Sequence, residues 1–260
     1  MSPAKLETPP RGIALSDTGE HGWRVFATEP LAAGTTIERA PVVSLTASER
    51  RELEGTTLGS FAVPWGEDGA AALALGYGAL YGTSDDPNAA FTSSAGELTL
   101  ELMTLRAVEA GEEIVVTGPG GPTSSAVGRG LTVVPPADVR WGMTEGRGRG
   151  VFAARAILAG ETFEQAPCLT FARNEWKAVE NTVLDDYGFL WGDDLEDGAL
   201  PMGYGAVYNH SFRPNACYVR RLATRTMDFV AIRDIDAGEE IQTNYNRDPL
   251  DTSPVWFEVV

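Results

Sequence analysis

The sequence predicts a mainly β fold with a few short helices, built as two copies of one unit. Three observations carry that expectation. Short runs rich in Val, Phe and Thr are cut at close intervals by Gly and Pro, the pattern of short strands joined by turns. Helix-start signals are scarce. Several peptides of the first half recur in the second, in the same order and at nearly constant spacing.

In the second copy, residues 150–157, 161–170, 226–232 and 240–245 read as strands. Thr46-Ala47-Ser48-Glu49 has the form of a capping box, in which hydroxyl and carboxylate satisfy each other's backbone N–H groups. A short helix is therefore expected to run to Leu53. Asn174 is the expected cap of the counterpart helix over 175–181, because its side-chain oxygen suits the first free N–H groups.

The repeat is direct. Val25-Phe26-Ala27 returns as Val151-Phe152-Ala153, 126 residues later, and Gly34 and Pro41 return as Gly160 and Pro167 at the same offset. Gly76-Tyr77-Gly78-Ala79 returns as Gly203-Tyr204-Gly205-Ala206, 127 residues on. Pro87-Asn88-Ala89 and Gly111-Glu112-Glu113-Ile114 return as Pro214-Asn215-Ala216 and Gly238-Glu239-Glu240-Ile241. Two collinear copies mark a duplication and not a solenoid, which needs at least three repeats. Residues 118–138, rich in Gly, Pro and Ser, read as a linker. The expected organisation is a first unit over 12–118, a linker over 119–138 and a second unit over 139–260.

Composition narrows the function classes. The chain is 43% hydrophobic and 22% charged, ordinary for a globular protein, with a net charge of −17. Residues 1–130 hold 8 Lys and Arg against 17 Asp and Glu, and residues 131–260 hold 12 against 20, so the acid is even along the sequence. That balance argues against direct nucleic-acid binding, which needs clustered Lys and Arg. It suits a basic protein or peptide partner, drawn in by the field. Two cysteines, Cys168 and Cys217, are too few for a disulfide framework or a structural zinc site, and read as buried thiols in a reducing cytoplasm. The only histidines, His21 and His210, lie far apart in sequence, so no metal site is expected. Residues 1–11 are polar and Pro-rich, without the apolar run of an export signal, and no stretch approaches a membrane span.

Three segments of the second copy carry the chemistry. They are Gly148-Arg149-Gly150-Val151-Phe152-Ala153, then Tyr208-Asn209-His210-Ser211-Phe212-Arg213-Pro214-Asn215, then Gly238-Glu239-Glu240-Ile241-Gln242-Thr243-Asn244-Tyr245-Asn246. Each alone is weak: Asn209-His210-Ser211 is also a glycosylation sequon, and Gly148-Arg149-Gly150 fits any tight turn. In this order and spacing they resemble the signature segments of SET-domain methyltransferases, over about 110 residues. The resemblance implies a SET β-fold with a C-terminal pseudoknot and transfer of a methyl group from S-adenosylmethionine to a lysine amine.

It also implies roles. Tyr245 matches the family's catalytic tyrosine, whose hydroxyl orients the amine. Asn209 and His210 match the cofactor-binding pair at the pseudoknot, and His210 is at the same time a structural histidine. Arg147, Gly148, Arg149 and Gly150 offer main-chain groups to the cofactor's amino-acid end. Tyr204 and Tyr208 line the lysine channel or pack the core. No cysteine-rich zinc tail follows Tyr245; Trp256 is expected to cover the cofactor's adenine and Phe257 to close the channel, unless the tail packs on its own core. Phe212 stands where the family usually has cysteine after Asn-His-Ser.

In the first copy the same columns read differently. Asn209-His210-Ser211 becomes Gly82-Thr83-Ser84, Tyr245 becomes Gly118, and Gly148-Arg149-Gly150 becomes Gly22-Trp23-Arg24. Turn and core positions persist at Phe26, Gly34, Pro41 and Pro87. The first unit is therefore expected to fold like the second but to be degenerate, forming one wall of the substrate groove. A monomer with an internal pseudo-dimer, or a homodimer, follows. The expected function is a cytoplasmic lysine N-methyltransferase with a single site, in the second unit. The alternatives are a non-catalytic scaffold for a basic peptide, or a methyltransferase of a small amine or free amino acid.

Overall fold

Residues 6–19, 22–66, 68–94, 98–117 and 131–258 are described by a computed structural model. Gly118 and most of the expected linker lie outside the described residues.

The architecture follows from two ten-residue strands, Thr36–Leu45 and Thr162–Phe171, which lie 126 residues apart and are buried along almost their whole length. Both are apolar with β-branched residues, as a strand covered on both faces should be. Thr36–Leu45 pairs with Ala71–Ala74, which carries Val63–Pro64, and with Thr99–Thr104, which carries Ala89–Ser94. Thr162–Phe171 has neighbours in the same order: Asp197–Pro201 with Phe189–Trp191, and Thr226–Ala231 with Ala216–Arg221. Both central strands carry one buried carboxylate, Glu38 and Glu164, 5% and 2% exposed.

Each copy also has an antiparallel pair near its start, Ile13–Asp17 with Trp23–Ala27 and Val139–Met143 with Arg149–Ala153. Each has a short parallel pair near its end, Gly82–Thr83 with Val115–Val116 and Asn209–His210 with Glu240–Thr243. These parallel pairs cross the chain at the place of the expected pseudoknot.

Helices are few and short. Ala47–Glu52 is capped by Thr46, with the expected capping box to Glu49. Asn174 does not cap its counterpart. It lies inside a 3-10 turn, Arg173–Glu175, that leads into the helix Trp176–Glu180. The reason is the column: Thr46 corresponds to Ala172, whose methyl group accepts no hydrogen bond, so only the Glu175 carboxylate remains to take the Ala172 N–H (3.3 Å). None of the described helices is long and apolar enough to cross a membrane.

Contacts divide the chain into two compact units that do not follow sequence order. The C-terminal unit comprises Met1–Pro9, Pro135–Ala166 and Tyr204–Val260; the acidic unit comprises Pro10–Val134 and Pro167–Gly203. Folding therefore redistributes the charge. The spans of the C-terminal unit hold 11 Lys and Arg against 13 Asp and Glu, those of the acidic unit 9 against 24, so nets of −2 and −15 replace the even split along the sequence.

Within the acidic unit, Pro167–Gly203 meets the first copy through reciprocal contacts. The Thr57 N–H donates to Glu175 (2.5 Å) and the Val183 N–H to Glu49 (2.8 Å). Glu49 and Glu175 are 126 residues apart, as are Thr57 and Val183, so the two bonds exchange equivalent positions. Gly76 and Gly203, themselves equivalent, bridge each other directly.

Candidate functional site

The C-terminal unit brings the three signature segments side by side. Its four-stranded sheet runs Val139–Met143, Arg149–Ala153, Glu240–Thr243, Asn209–His210. Val151 sits opposite Ile241, Asn209 beside Gln242 and His210 beside Thr243. Segments up to about 90 residues apart in the chain thus share one small surface.

The turn before Arg149 needs its glycines. Gly148 has φ +69°, in the left-handed region that side chains avoid. Gly150 is required by proximity instead: a β-carbon there would lie 2.5 Å from Thr144 Cγ2, 2.8 Å from Glu240 Oε1 and 3.0 Å from Asn209 Nδ2. Asn209 Nδ2 donates to Glu240 Oε1 (2.7 Å) and to the Arg149 carbonyl (3.0 Å), while Arg147 forms an ion pair with Glu240. Glu240 therefore ties all three segments together. Sequence reasoning missed its role, although the recurrence of Gly-Glu-Glu-Ile in both copies was the available signal.

His210 is 5% exposed. Its Nδ1 accepts from the Tyr245 N–H (3.1 Å), so in the neutral ring the proton sits on Nε2, which is buried without a hydrogen-bond partner among the described residues. Burial holds the His210 pKa below its ordinary value and keeps the ring neutral. Phe212, Tyr245 and Phe257 surround it edge-on, with ring centroids at 4.6, 5.2 and 5.8 Å.

Tyr245 is half-buried, and its hydroxyl donates to the Tyr208 carbonyl (2.8 Å). Tyr208 and Tyr204 are both buried. The Tyr208 ring packs against Phe163 and Phe229, and its hydroxyl donates to Glu164 Oε2 (2.5 Å). The other Glu164 oxygen accepts the Tyr204 N–H (2.7 Å). Burial pushes Glu164 up to about 7, against the pull of these two bonds. Glu164 was also absent from the residues picked out by sequence, since nothing marks a glutamate in a strand as buried.

The tail returns to this site. Asn244 and Asn246 donate to the carbonyls of Asp251 and Ser253, both at 2.6 Å. Trp256 lies stacked on Tyr245 at 6.0 Å and Phe257 lies edge-on to both. Trp256 is 65% exposed and Phe257 40%, so the pair forms an open aromatic shelf and not a core.

The equivalent place in the acidic unit is filled from within. Gly82 stands for Asn209, and Arg24 stands for Gly150. Arg24 is 2% exposed, with its Nε 3.5 Å from Glu113, the counterpart of Glu240. A β-carbon on Gly82 would lie 2.4 Å from Glu113. Glycine and long side chain have exchanged sides: Arg24 meets Glu113 across Gly82, where in the other copy Asn209 meets Glu240 across Gly150.

The SET domain family matches residues 22–117 and 148–246. A curated relative, the H3 lysine-37 specific histone-lysine N-methyltransferase of Schizosaccharomyces pombe (strain 972 / ATCC 24843), is 30% identical over 116 residues, 44% of this chain and 74% of the relative. Among solved structures, a candidate histone methyltransferase of Plasmodium falciparum is 27% identical over 42% of this chain and 92% of its own, with a TM-score of 0.34. A humanized mutant of the Chaetomium thermophilum Polycomb Repressive Complex 2 bound to the inhibitor GSK126 is 24% identical over 43% of this chain and 15% of its own, at 0.35. With both halves of its length matched by the family and the three signature segments joined on one sheet, this chain belongs to the SET-domain family.

Proposed function

We propose that this chain is an S-adenosylmethionine-dependent lysine N-methyltransferase acting on a protein or peptide, with one active site in the C-terminal unit. The observation that carries the reading is the convergence of Arg147–Gly150, Asn209-His210 and Tyr245 around Glu240 and the Tyr208 carbonyl.

The residues present fit the cofactor. The turn at Gly148 carries no side chain, the buried Nε2–H of His210 has no hydrogen-bond partner among the described residues, and Trp256 offers an exposed aromatic face. Gly148, Gly150, Arg147 and Arg149 would hold the amino-acid end, Asn209 and His210 the middle and the adenine, and Trp256 would cover the ring. The cofactor supplies a methyl group on a sulfonium, ready for in-line displacement.

The chain must then present a neutral amine. A free lysine has a pKa near ~10.4, so the site has to strip water from the ammonium and let a proton go. Phe257, 40% exposed at the edge, offers the lysine stem an aromatic face that attracts a methylated ammonium, while Tyr204 and Tyr208 are buried and support the site from the core. The Tyr245 hydroxyl spends its hydrogen on the Tyr208 carbonyl. The hydroxyl oxygen can accept from the amine and contact polarised methyl hydrogens. Holding the reacting atoms at about 3 to 3.5 Å supplies much of the rate.

We read the first copy as a degenerate duplicate. The Arg24 filling and the missing site residues support that reading, and the reciprocal Glu49–Val183 and Thr57–Glu175 bonds support an internal pseudo-dimer. The −15 of the acidic unit supports a basic substrate.

The test is a calorimetric titration with S-adenosylmethionine, followed by radiolabelled methyl transfer to lysine peptides, including a histone H3 peptide spanning lysine 37. One site per chain and label on lysine are expected. Two sites, or label on no peptide, would remove the single-site enzyme from consideration.

A further inference from the structure

We infer that Glu164 is a positioning residue for the reaction: it holds Tyr208 in place so that the Tyr208 carbonyl fixes the Tyr245 hydroxyl. The inference rests on the methyltransferase reading above and extends it to a residue outside the three signature segments.

The geometry is a strap. One carboxylate takes both ends of the segment from 204 to 208, the Tyr204 N–H on Oε1 at 2.7 Å and the Tyr208 hydroxyl on Oε2 at 2.5 Å. Glu164 cannot wander, because it lies on the buried strand Thr162–Phe171 and is 2% exposed. The Tyr208 ring is wedged by Phe163 and Phe229 at centroid distances of 6.0 and 4.7 Å. What remains of Tyr208 is its carbonyl, which receives the Tyr245 hydroxyl at 2.8 Å. A shift of the ring or of the segment's start is passed directly to that carbonyl. Losing alignment at the hydroxyl costs rate, since displacement depends steeply on the placement of the attacking atom.

The chain contains its own control. In the acidic unit Glu38 makes the same strap, taking the Tyr77 N–H at 2.8 Å and the Tyr81 hydroxyl at 3.0 Å. It is equally part of a buried ten-residue strand. The column of Tyr245 there is Gly118, so that strap ends on no catalytic hydroxyl. Whatever a strap gives to folding, both give; only Glu164 reaches the reaction.

The experiment compares Glu164→Gln and Tyr208→Phe with Glu38→Gln in the full chain. The readouts are melting temperature, S-adenosylmethionine affinity by calorimetry, methyl transfer to the lysine peptide panel, and amide hydrogen exchange over 243–246. Glu164→Gln and Tyr208→Phe are expected to lower kcat by about 10- to 100-fold, to leave KM for the cofactor within about 3-fold, and to speed exchange over 243–246. Glu38→Gln is expected to lower the melting temperature by a similar amount and to change neither kcat nor that exchange. Equal behaviour of Glu164→Gln and Glu38→Gln in kcat and exchange would reduce both straps to folding devices. Absence of transfer by the unmodified chain on every peptide would sink the proposed reaction instead, and the exchange comparison would still decide the strap.

Discussion

At the residue scale, the site depends on two kinds of fitness: a hydroxyl in the right place and a glycine where neighbouring side chains crowd the backbone. Tyr245→Phe removes the hydroxyl and leaves the ring on its Trp256 and Phe257 contacts. Methyl transfer is expected to fall by about 100-fold or more, while calorimetric affinity for S-adenosylmethionine stays within about 3-fold. Unchanged turnover would take Tyr245 out of the chemistry. Gly150→Ala tests the close packing around that glycine. Its methyl group would press on Thr144, Glu240 and Asn209 at 2.5 to 3.0 Å, in a place where two of the neighbours are themselves hydrogen-bonded. Cofactor affinity is expected to drop by about 10-fold or more, with about 1–3 kcal/mol of stability lost to overpacking. The first copy already shows what a side chain does in this column, since Arg24 fills it.

At the element scale, equivalent segments with different caps give a direct comparison. Thr46 caps Ala47–Glu52, and its hydroxyl takes the Glu49 N–H at 3.3 Å. Thr46→Ala should cost about 1 kcal/mol of unfolding free energy. The reverse change at the equivalent position, Ala172→Thr, should regain part of that amount, up to about 1 kcal/mol, because Ala172 is already extended (φ −74°, ψ 153°) and Glu175 already takes its N–H. Chemical denaturation of both variants checks this; a destabilised Ala172→Thr would mean that the 3-10 turn before Trp176 is required as it stands. The two glutamates serve twice, since Glu49 and Glu175 also make the reciprocal bonds to Val183 and Thr57.

At the scale of the whole molecule, pH and salt act on different parts. Folded Glu38 and Glu164 are each pushed up to about 7 by burial, against an ordinary value of 4.5. Between those values the folded state keeps two protons that the unfolded state has lost. Their contribution is therefore complete below pH 4.5 and is lost as pH rises through 7, at about 3 kcal/mol each. Glu112 and Glu239 act oppositely: hydrogen bonds from Arg106 and Arg233 pull both down to about 2, so their contribution is present above pH 4.5 and fades as pH falls towards 2. Stability is thus expected to peak near pH 5. Melting temperatures measured from pH 4 to 8 should fall on the alkaline side, and the double variant Glu38→Gln, Glu164→Gln should flatten that limb. Salt reads the acidic unit. For a basic peptide substrate, KM is expected to rise between 50 mM and 500 mM salt by several-fold, while kcat stays near constant, as screening removes steering but not chemistry (about 10 Å at 0.1 M). A salt-independent KM would detach the acidic unit from substrate capture.

The sequence by itself determined the strand-rich class, because alternation and turn residues act locally. It determined the three signature segments and the recurrence of several short peptides at offsets of 126 and 127, because these are properties of order and spacing. It also located the Thr46 cap, a contact that spans three residues. What required the tertiary structure are the contacts made across long separations. Glu240 as the tie between Arg147 and Asn209, Glu164 as the partner of Tyr204 and Tyr208, and Asn244 and Asn246 as anchors of the tail depend on which side chains meet once strands pair. The charge was read as even along the chain and became −2 and −15 only when Pro167–Gly203 was placed with the first copy. The physical reason is the same in each case: a polar or charged side chain carries no local mark of its burial or its partner, and only the packing of distant strands assigns both.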